Sequence, residues 1–279
     1  PPLESYAYRL WDYWERNLDP DLFIDRSLSG RVKGKVVVVT GGSSGIGQAT
    51  AKRIAAEAGS VVCVDLFAET AEKTAADITE AGGTAIGVAC DVSSAADCEA
   101  TVATAVDTYG RVDALCNIAG IGTFANSHEM DLAQFDKIVA VNLNGSAYMI
   151  RFVLPHMLEQ GGGVIVNTSS SAGLFGQPYS AAYCASKGGV IQLTKAIAEE
   201  YKDRKIRCNA ICPGGVDTPI IHSFVELPEG GDYKKIRKMM TPMGASKPEE
   251  MAGLFAYMVS EEARYMTGSI VPLDGGITC

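Results

Sequence analysis

Short apolar runs rich in β-branched residues alternate along the chain with longer stretches whose apolar residues recur every three or four positions. The runs fall at 35–40, 60–65, 84–90, 112–116, 163–169, 205–212 and 269–273, and each has the length of a strand. The sequences VVVV at 36–39 and VVCV at 61–64 do not alternate with polar residues, so both faces of these strands are expected to be covered. Between the runs, Ala49, Ile54, Ala55 and Ala58 recur at helical spacing, as do Val190, Ile191, Thr194, Ile197 and Ala198. Strand–helix alternation with continuously apolar strands predicts an α/β fold: a doubly wound, mostly parallel sheet of seven strands with helices on both faces.

Two segments depart from this rhythm. In residues 1–33, Leu3, Ala7, Leu10, Trp14 and Leu18 share one helical face, Trp11 lies beside it, and Asp19-Pro20 stops the helix. This aromatic arm is expected to pack on its own domain or to dock a neighbouring subunit or an upstream domain. The chain opens on Pro1-Pro2 without Met, as expected of a trimmed start or a piece of a longer polypeptide. Residues 219–247 are rich in Gly, Pro and Met without a clean period, and are expected to form a mobile substrate loop with a helical piece. The remainder, 34–279, is expected to be one domain.

Composition narrows the function. The net charge of −9 argues against nucleic acid as a partner, since phosphate binding needs clustered Lys and Arg. No apolar run is long enough for a membrane span. The eight cysteines include no CxxC pair, and no two of His128, His156 and His222 have metal spacing, so no metal site is expected. Cys63, Cys90 and Cys116 sit in apolar runs, which suits reduced thiols and a cytoplasmic location.

The first strand leads directly into Thr40-Gly41-Gly42-Ser43-Ser44-Gly45-Ile46-Gly47 and then into a helix. Glycines let backbone N–H groups approach a pyrophosphate, and the helix N-terminus adds partial positive charge. Gly41, Ser43, Ser44 and Ile46 are therefore candidate cofactor contacts. The second strand closes on Asp65, followed by Leu66. A carboxylate there accepts the hydroxyls of an adenosine ribose and repels a 2′-phosphate, and no Arg or Lys stands at 43, 44 or 66, so NAD is the expected cofactor. Tyr183 and Lys187 stand four apart at the start of a helical stretch, on one face. A nearby ammonium is expected to lower the phenol's pKa towards that of a usable base. Ser170 lies at the end of a strand, thirteen residues before Tyr183, with Ser169 and Ser171 as neighbours that confuse the choice.

The motifs TGGSSGIG, NIAG, the serine, YCASK and PGGVDT occur in the order of the short-chain dehydrogenase/reductase family, which the chain resembles from about residue 34 to 278. The resemblance implies a Rossmann-type fold and hydride transfer between NAD and a small alcohol or carbonyl substrate. It implies that Tyr183 exchanges the proton, Lys187 binds the nicotinamide ribose, and Ser170 orients the substrate oxygen. Asn142, rather than Asn144, would hold a relay water. By the same resemblance Asp91 and Val92 contact adenine, and Asn117, Ala119 and Gly120 pass the ribose. Pro213, Gly214, Val216 and Thr218 hold the nicotinamide. The family's usual Asn-Asn-Ala-Gly is here Asn117-Ile118-Ala119-Gly120, which removes a strand-tying side chain. The resemblance also implies a homotetramer, with helices 131–158 and 181–202 packing across a two-fold axis. Leu174, Phe175, Gln177, Tyr179, Phe224, Ile121, Gly122 and His222 are candidate pocket residues. Residues 6–42 resemble the junction before the reductase domain of two-domain bacterial fatty acyl reductases. Alternatives are an NAD sensor without turnover, disfavoured because Tyr, Lys and Ser are all present, and an epimerase or dehydratase, which would need a larger C-terminal substrate region.

Overall fold

The computed structural model describes residues 30–279 apart from 225, 241 and 242; the aromatic arm, save its last four residues, lies outside the described residues. Seven strands form one parallel sheet in the order β3-β2-β1-β4-β5-β6-β7. They are β1 (Val36–Thr40), β2 (Ser60–Asp65), β3 (Thr84–Ala89), β4 (Ala114–Asn117), β5 (Gly163–Thr168), β6 (Ile206–Pro213) and β7 (Ile270–Leu273). The sheet is parallel throughout. The order reverses between β1 and β4, and this switch point is where a doubly wound sheet opens a crevice at the carboxyl ends of its strands.

Because β1 carries no polar side chain before Thr40, it feeds both layers. Val36 and Val38 enter one apolar cluster, with Met149, Val153 and Met157. Val37 and Val39 enter the other, with Ile54, Phe255 and Val259. Each such burial contributes roughly 1.5–3 kcal/mol. The first face is covered by α3 (Ala95–Tyr109), α5 (Gly145–Glu159) and α6 (Ala181–Tyr201), the second by α1 (Gly45–Ala56), α2 (Ala68–Glu80) and α7 (Pro248–Val259). A Cβ on Gly87 of β3 would lie 2.4 Å from the backbone nitrogen of Glu72, so glycine is what lets α2 lie on this strand.

The helix predicted at 131–158 is one continuous stretch in three parts. α4 (Leu132–Val139) passes through a π-helical turn (Ala140–Asn144) into α5. By length and mean hydropathy alone, the run Leu132–Glu159 is apolar enough to cross a membrane; 44% of its most apolar window is buried in the fold. Its apolarity is in part that of a core helix, since Met149, Ile150, Val153 and Met157 are buried. The expected loop at 219–247 contains more order than its composition suggested: a 3-10 helix (Pro219–Phe224), a helical turn (Tyr233–Ile236) and a further 3-10 turn (Arg237–Met239).

A polar seam ties the middle of the sheet. The Asn117 amide donates to Asn167 Oδ1 (2.9 Å), the Asn167 amide donates to Thr194 Oγ1 (2.9 Å), and Thr194 donates to Val190 O (2.7 Å). Thr40 Oγ1 accepts from the N–H groups of Ile118 (2.9 Å) and Ala119 (3.1 Å). The strands thus remain joined despite Ile118. Asn167 is fully buried, so Asn167→Ala takes one buried hydrogen bond each from Asn117 and Thr194 and is expected to cost about 2–3 kcal/mol, read as a lower urea midpoint with unchanged slope.

Candidate active site

The crevice over the switch point is a cleft of about 430 Å³. Its floor is lined by Gly41, Ser44, Gly45, Ile46, Gly47, Ala119 and Gly120 on one side and by Ser170, Tyr183, Lys187, Pro213, Gly214, Val216 and Thr218 on the other. Sequence motifs spread over 180 residues therefore converge in one cleft.

The glycine loop is shaped by its lack of side chains. Gly41 and Gly45 have φ of 67° and 49°, the left-handed region that favours glycine. A Cβ on Gly47 would lie 2.0 Å from the Gly41 carbonyl oxygen, so α1 could not begin so close to the loop with any other residue. Ser44, the N-cap of α1, makes no side-chain cap, and the first turn holds no acid. The N–H end of α1 therefore faces the cleft with its partial positive charge uncompensated by its own side chains. Asp65 accepts from Ser43 N (3.0 Å) and Leu66 N (2.8 Å), which fixes its carboxylate at the rim of the loop.

Ser170 follows β5 and caps a short helical turn (Ser171–Leu174), its Oγ accepting from Ala172 N at 3.1 Å. That bond uses an acceptor site and leaves the hydroxyl proton free, and Ser170 acts on Tyr183 in the sense that favours the phenolate. Ser169, the neighbour that confused the choice, is turned away: its Oγ donates to Lys187 O at 2.8 Å and pins α6 to the end of β5. Ser171 Oγ accepts from the Gln177 amide. Tyr183 and Lys187 share the first turns of α6. Lys187 is 3% exposed, and its Nζ donates to Thr168 O at 2.8 Å, 5.7 Å from the centre of the Tyr183 ring.

The electrostatics differ from the sequence expectation. Burial pushes the Tyr183 phenol up to about 12, although the hydrogen bond with Ser170 works the other way. Burial also pulls the Lys187 ammonium down to about 8, with Cys212 opposing. The expected lowering of the phenol by the ammonium is overruled, because desolvation penalises both charged forms and Nζ faces a carbonyl rather than the phenol oxygen.

Asn142 lies in the π-helical turn, 1% exposed. Its amide donates to Ile121 O (2.9 Å) and Ser186 Oγ (3.0 Å), and its oxygen accepts from Ile121 N (2.8 Å). A Cβ on Gly120 would lie 3.2 Å from Asn142 Oδ1 and 3.3 Å from Lys187 Nζ, so Gly120 passes beside both. Asn144 is at the C-terminal end of the same turn. Three of the candidate contacts do not line this cleft. Asn117 is turned into the polar seam. Val92 is buried, and a Cβ on Gly145 would meet it at 2.9 Å. Asp91 accepts from Ser93 N and Oγ.

The outer wall is apolar. Phe124, Ile220, Ile221, Phe224, Ile236, Met239 and Met240 line it with Gln177. Gln177 and Phe224 were expected; Leu174 does not line the cleft, and His222 is exposed. The Phe124 and Phe224 rings pack edge-on at 5.1 Å, and Phe224 packs on Tyr183 at 5.3 Å. A Cβ on Gly122 would lie 2.4 Å from Phe224 Cζ and 2.7 Å from Tyr183 Cδ2. Among the described residues no three His, Cys, Asp or Glu side chains gather as a metal site.

Known proteins resemble this chain in sequence and fold. The family described as short chain dehydrogenase matches residues 35–227. The chain belongs to the short-chain dehydrogenase family. The 2-(S)-hydroxypropyl-CoM dehydrogenase 3 of Xanthobacter autotrophicus is 38% identical over 253 residues, 90% of this chain and 99% of the relative. The cyclohexanol dehydrogenase of Acinetobacter sp. is 37% identical over 257 residues, 91% and 99% of the two chains. The crystal structure of a 3-ketoacyl-(acyl-carrier-protein) reductase from Brucella melitensis complexed with NADH matches with TM-score 0.81 and 37% identity, covering 89% of this chain and 100% of that one. This short-chain dehydrogenase is an oxidoreductase that moves hydride between a nicotinamide cofactor and an alcohol or carbonyl substrate.

Its residues fit such a cofactor. The cradle at Gly41, Gly45 and Gly47 is one that a Cβ would fill. Thr168 Oγ1, on the cleft lining, is buried without a hydrogen-bond partner in the chain, as a donor awaiting a ligand would be.

Proposed function

We propose that this short-chain dehydrogenase uses NAD to oxidise a secondary alcohol with a compact apolar body to its ketone, with Tyr183 taking the hydroxyl proton. The observation that carries the reading is the convergence of Ser170, Tyr183 and Lys187 on one cleft floored by the glycine loop. The cofactor supplies a hydride acceptor and, when oxidised, a positive charge. Ser44, Ile46 and the α1 N-terminus hold its phosphates, Asp65 its adenosine ribose, and Pro213, Gly214, Val216 and Thr218 its nicotinamide end. Lys187 binds the second ribose and keeps a positive charge near the phenol. Asn142 holds the Gly120 strand-end and α6 together through Ile121 and Ser186.

The raised phenol dictates what Tyr183 does. A group with a pKa of about 12 is a neutral donor at neutral pH, ready to protonate a carbonyl oxygen. In alcohol oxidation it must first become phenolate, which the Ser170 hydrogen bond, Lys187 and the oxidised cofactor's charge all favour. Oxidation is therefore expected to accelerate with pH and carbonyl reduction to slow, which a pair of rate profiles in the two directions checks. The apolar wall of Phe124, Ile220, Phe224 and Met239 selects the substrate's body, and Ser170 and Tyr183 its single oxygen.

NAD rather than NADP follows from Asp65 and from the absence of a basic residue at Ser43, Ser44 or Leu66. Asp65→Ser is expected to weaken NAD use about 10- to 100-fold, and the added Leu66→Arg to admit NADP; reduced-cofactor absorbance with each cofactor and a panel of secondary alcohols tests both this and the activity. Oxidation of no alcohol by a chain that binds NAD would replace the reading with that of a sensor. The eight cysteines are unpaired, which supports a cytoplasmic setting. A homotetramer packing α4–α5 and α6 across a two-fold axis completes the proposal, and light scattering measures it.

A further inference from the structure

Three described residues other than glycine have positive φ: Ala58, Tyr179 and Lys205. Ala58 and Lys205 follow helical ends, a routine setting for the left-handed region. Tyr179 does not. It stands just before α6 at φ 63°, where a bulky side chain is an outlier that persists only when its surroundings hold it.

Those surroundings are the two segments that wall the cleft. Tyr179 O accepts from Ala125 N at 2.8 Å, and its ring packs edge-on to Phe124 at 6.4 Å. Its phenol oxygen accepts from Asp232 N at 2.9 Å, and Lys235 Nζ lies 6.0 Å over its ring. Alongside, the Asn126 amide donates to Glu229 O at 2.9 Å. From Phe124 the contacts run on to Phe224 and then to Tyr183 in the first turn of α6. The segment around Asp232 and Lys235 also delivers Ile236, Met239 and Met240 to the cleft.

We infer that Tyr179 is a positioning residue that latches the segment at 226–240 to the 121–126 loop and so sets how tightly the substrate's apolar body is held against Tyr183. The strained backbone is what points the carbonyl at Ala125 and the phenol at Asp232 together, so that one residue grips both walls. This rests on the dehydrogenase reading for its consequence and on geometry alone for the latch.

Tyr179→Phe keeps the ring and removes only the acceptor for Asp232, and Asn126→Ala cuts the parallel tie. Each folded variant is compared with the parent for tryptic cleavage after Lys234, Lys235 and Arg237 and for steady-state kinetics with an apolar secondary alcohol. The expected result is cleavage about two- to fivefold faster, the loss of one exposed hydrogen bond, with KM raised by a similar factor, kcat nearly unchanged and NAD affinity unmoved. Cleavage and KM equal to the parent in both variants would overturn the latch. Faster cleavage in a chain that oxidised no alcohol would retain the latch and remove the dehydrogenase reading instead.

Discussion

Tyr183→Phe is expected to lower kcat/KM for alcohol oxidation about 10²–10⁴-fold while leaving NAD binding intact. The substitution removes one oxygen from a ring that stays packed on Phe224, so shape and stacking survive. What disappears is the titratable proton that Ser170 acts on. At neutral pH a phenol near 12 is ionised in roughly one molecule in 10⁵, and the size of the loss measures how far the assembled site corrects that. Titration of NAD by fluorescence, run beside turnover, separates the chemical loss from failure to bind. A variant that no longer bound NAD would show instead that the hydroxyl matters to the cleft's shape.

Lys187→Met is expected to lower turnover about a hundredfold and to change how stability depends on pH. Burial holds the folded-state ammonium near 8, against 10.5 for a free lysine. Below about pH 8 the folded protein therefore carries a buried charge at a cost on the order of 3 kcal/mol, partly offset by the hydrogen bond to Thr168 O. Between about 8 and 10.5 the unfolded chain binds more protons than the folded one, so the parent's stability rises with pH in that window. Met cannot titrate, so the parent should gain on the variant across this range. Tyr183, raised from 10 to about 12, acts in the opposite sense above pH 10, but it does so in both proteins and drops out of the comparison. Denaturation midpoints of the two proteins at pH 7 and pH 9.5 measure the gain, and parallel curves would mean that Lys187 is not buried as a charge.

How much of this was legible in the sequence follows from what each feature depends on. The strands could be read because each is a continuous apolar run, and all seven were found to within one or two residues at either end. The glycine loop, Ser170, Tyr183 and Lys187 could be read because local chemistry fixes them: close backbone approach, a helical i, i+4 pair and a strand end. Asn117 shows that a motif gives position in the chain but not the direction of a side chain. Its amide found Asn167 across the sheet, a partner fifty residues away. The phenol's pKa was misjudged because the sequence displays the ammonium but not the burial that outweighs it. Phe124, Ile236 and Met239 carried no local signal; they became wall residues only when loops after β4 and β6 met over α6. Tyr179 is the extreme case, since nothing about a tyrosine announces a left-handed backbone. The glycine at 122, required by the Phe224 ring, was the one available hint that a bulky group lay opposite.

The most direct test of the account is the pH profile of kcat/KM for alcohol oxidation with NAD, in the parent chain and in Tyr183→Phe. The parent is expected to show a limb that climbs with pH towards a plateau, close to tenfold per pH unit, and the variant a slow, flat profile. A variant that retained both the rate and the rising limb would place the titrating base somewhere other than Tyr183.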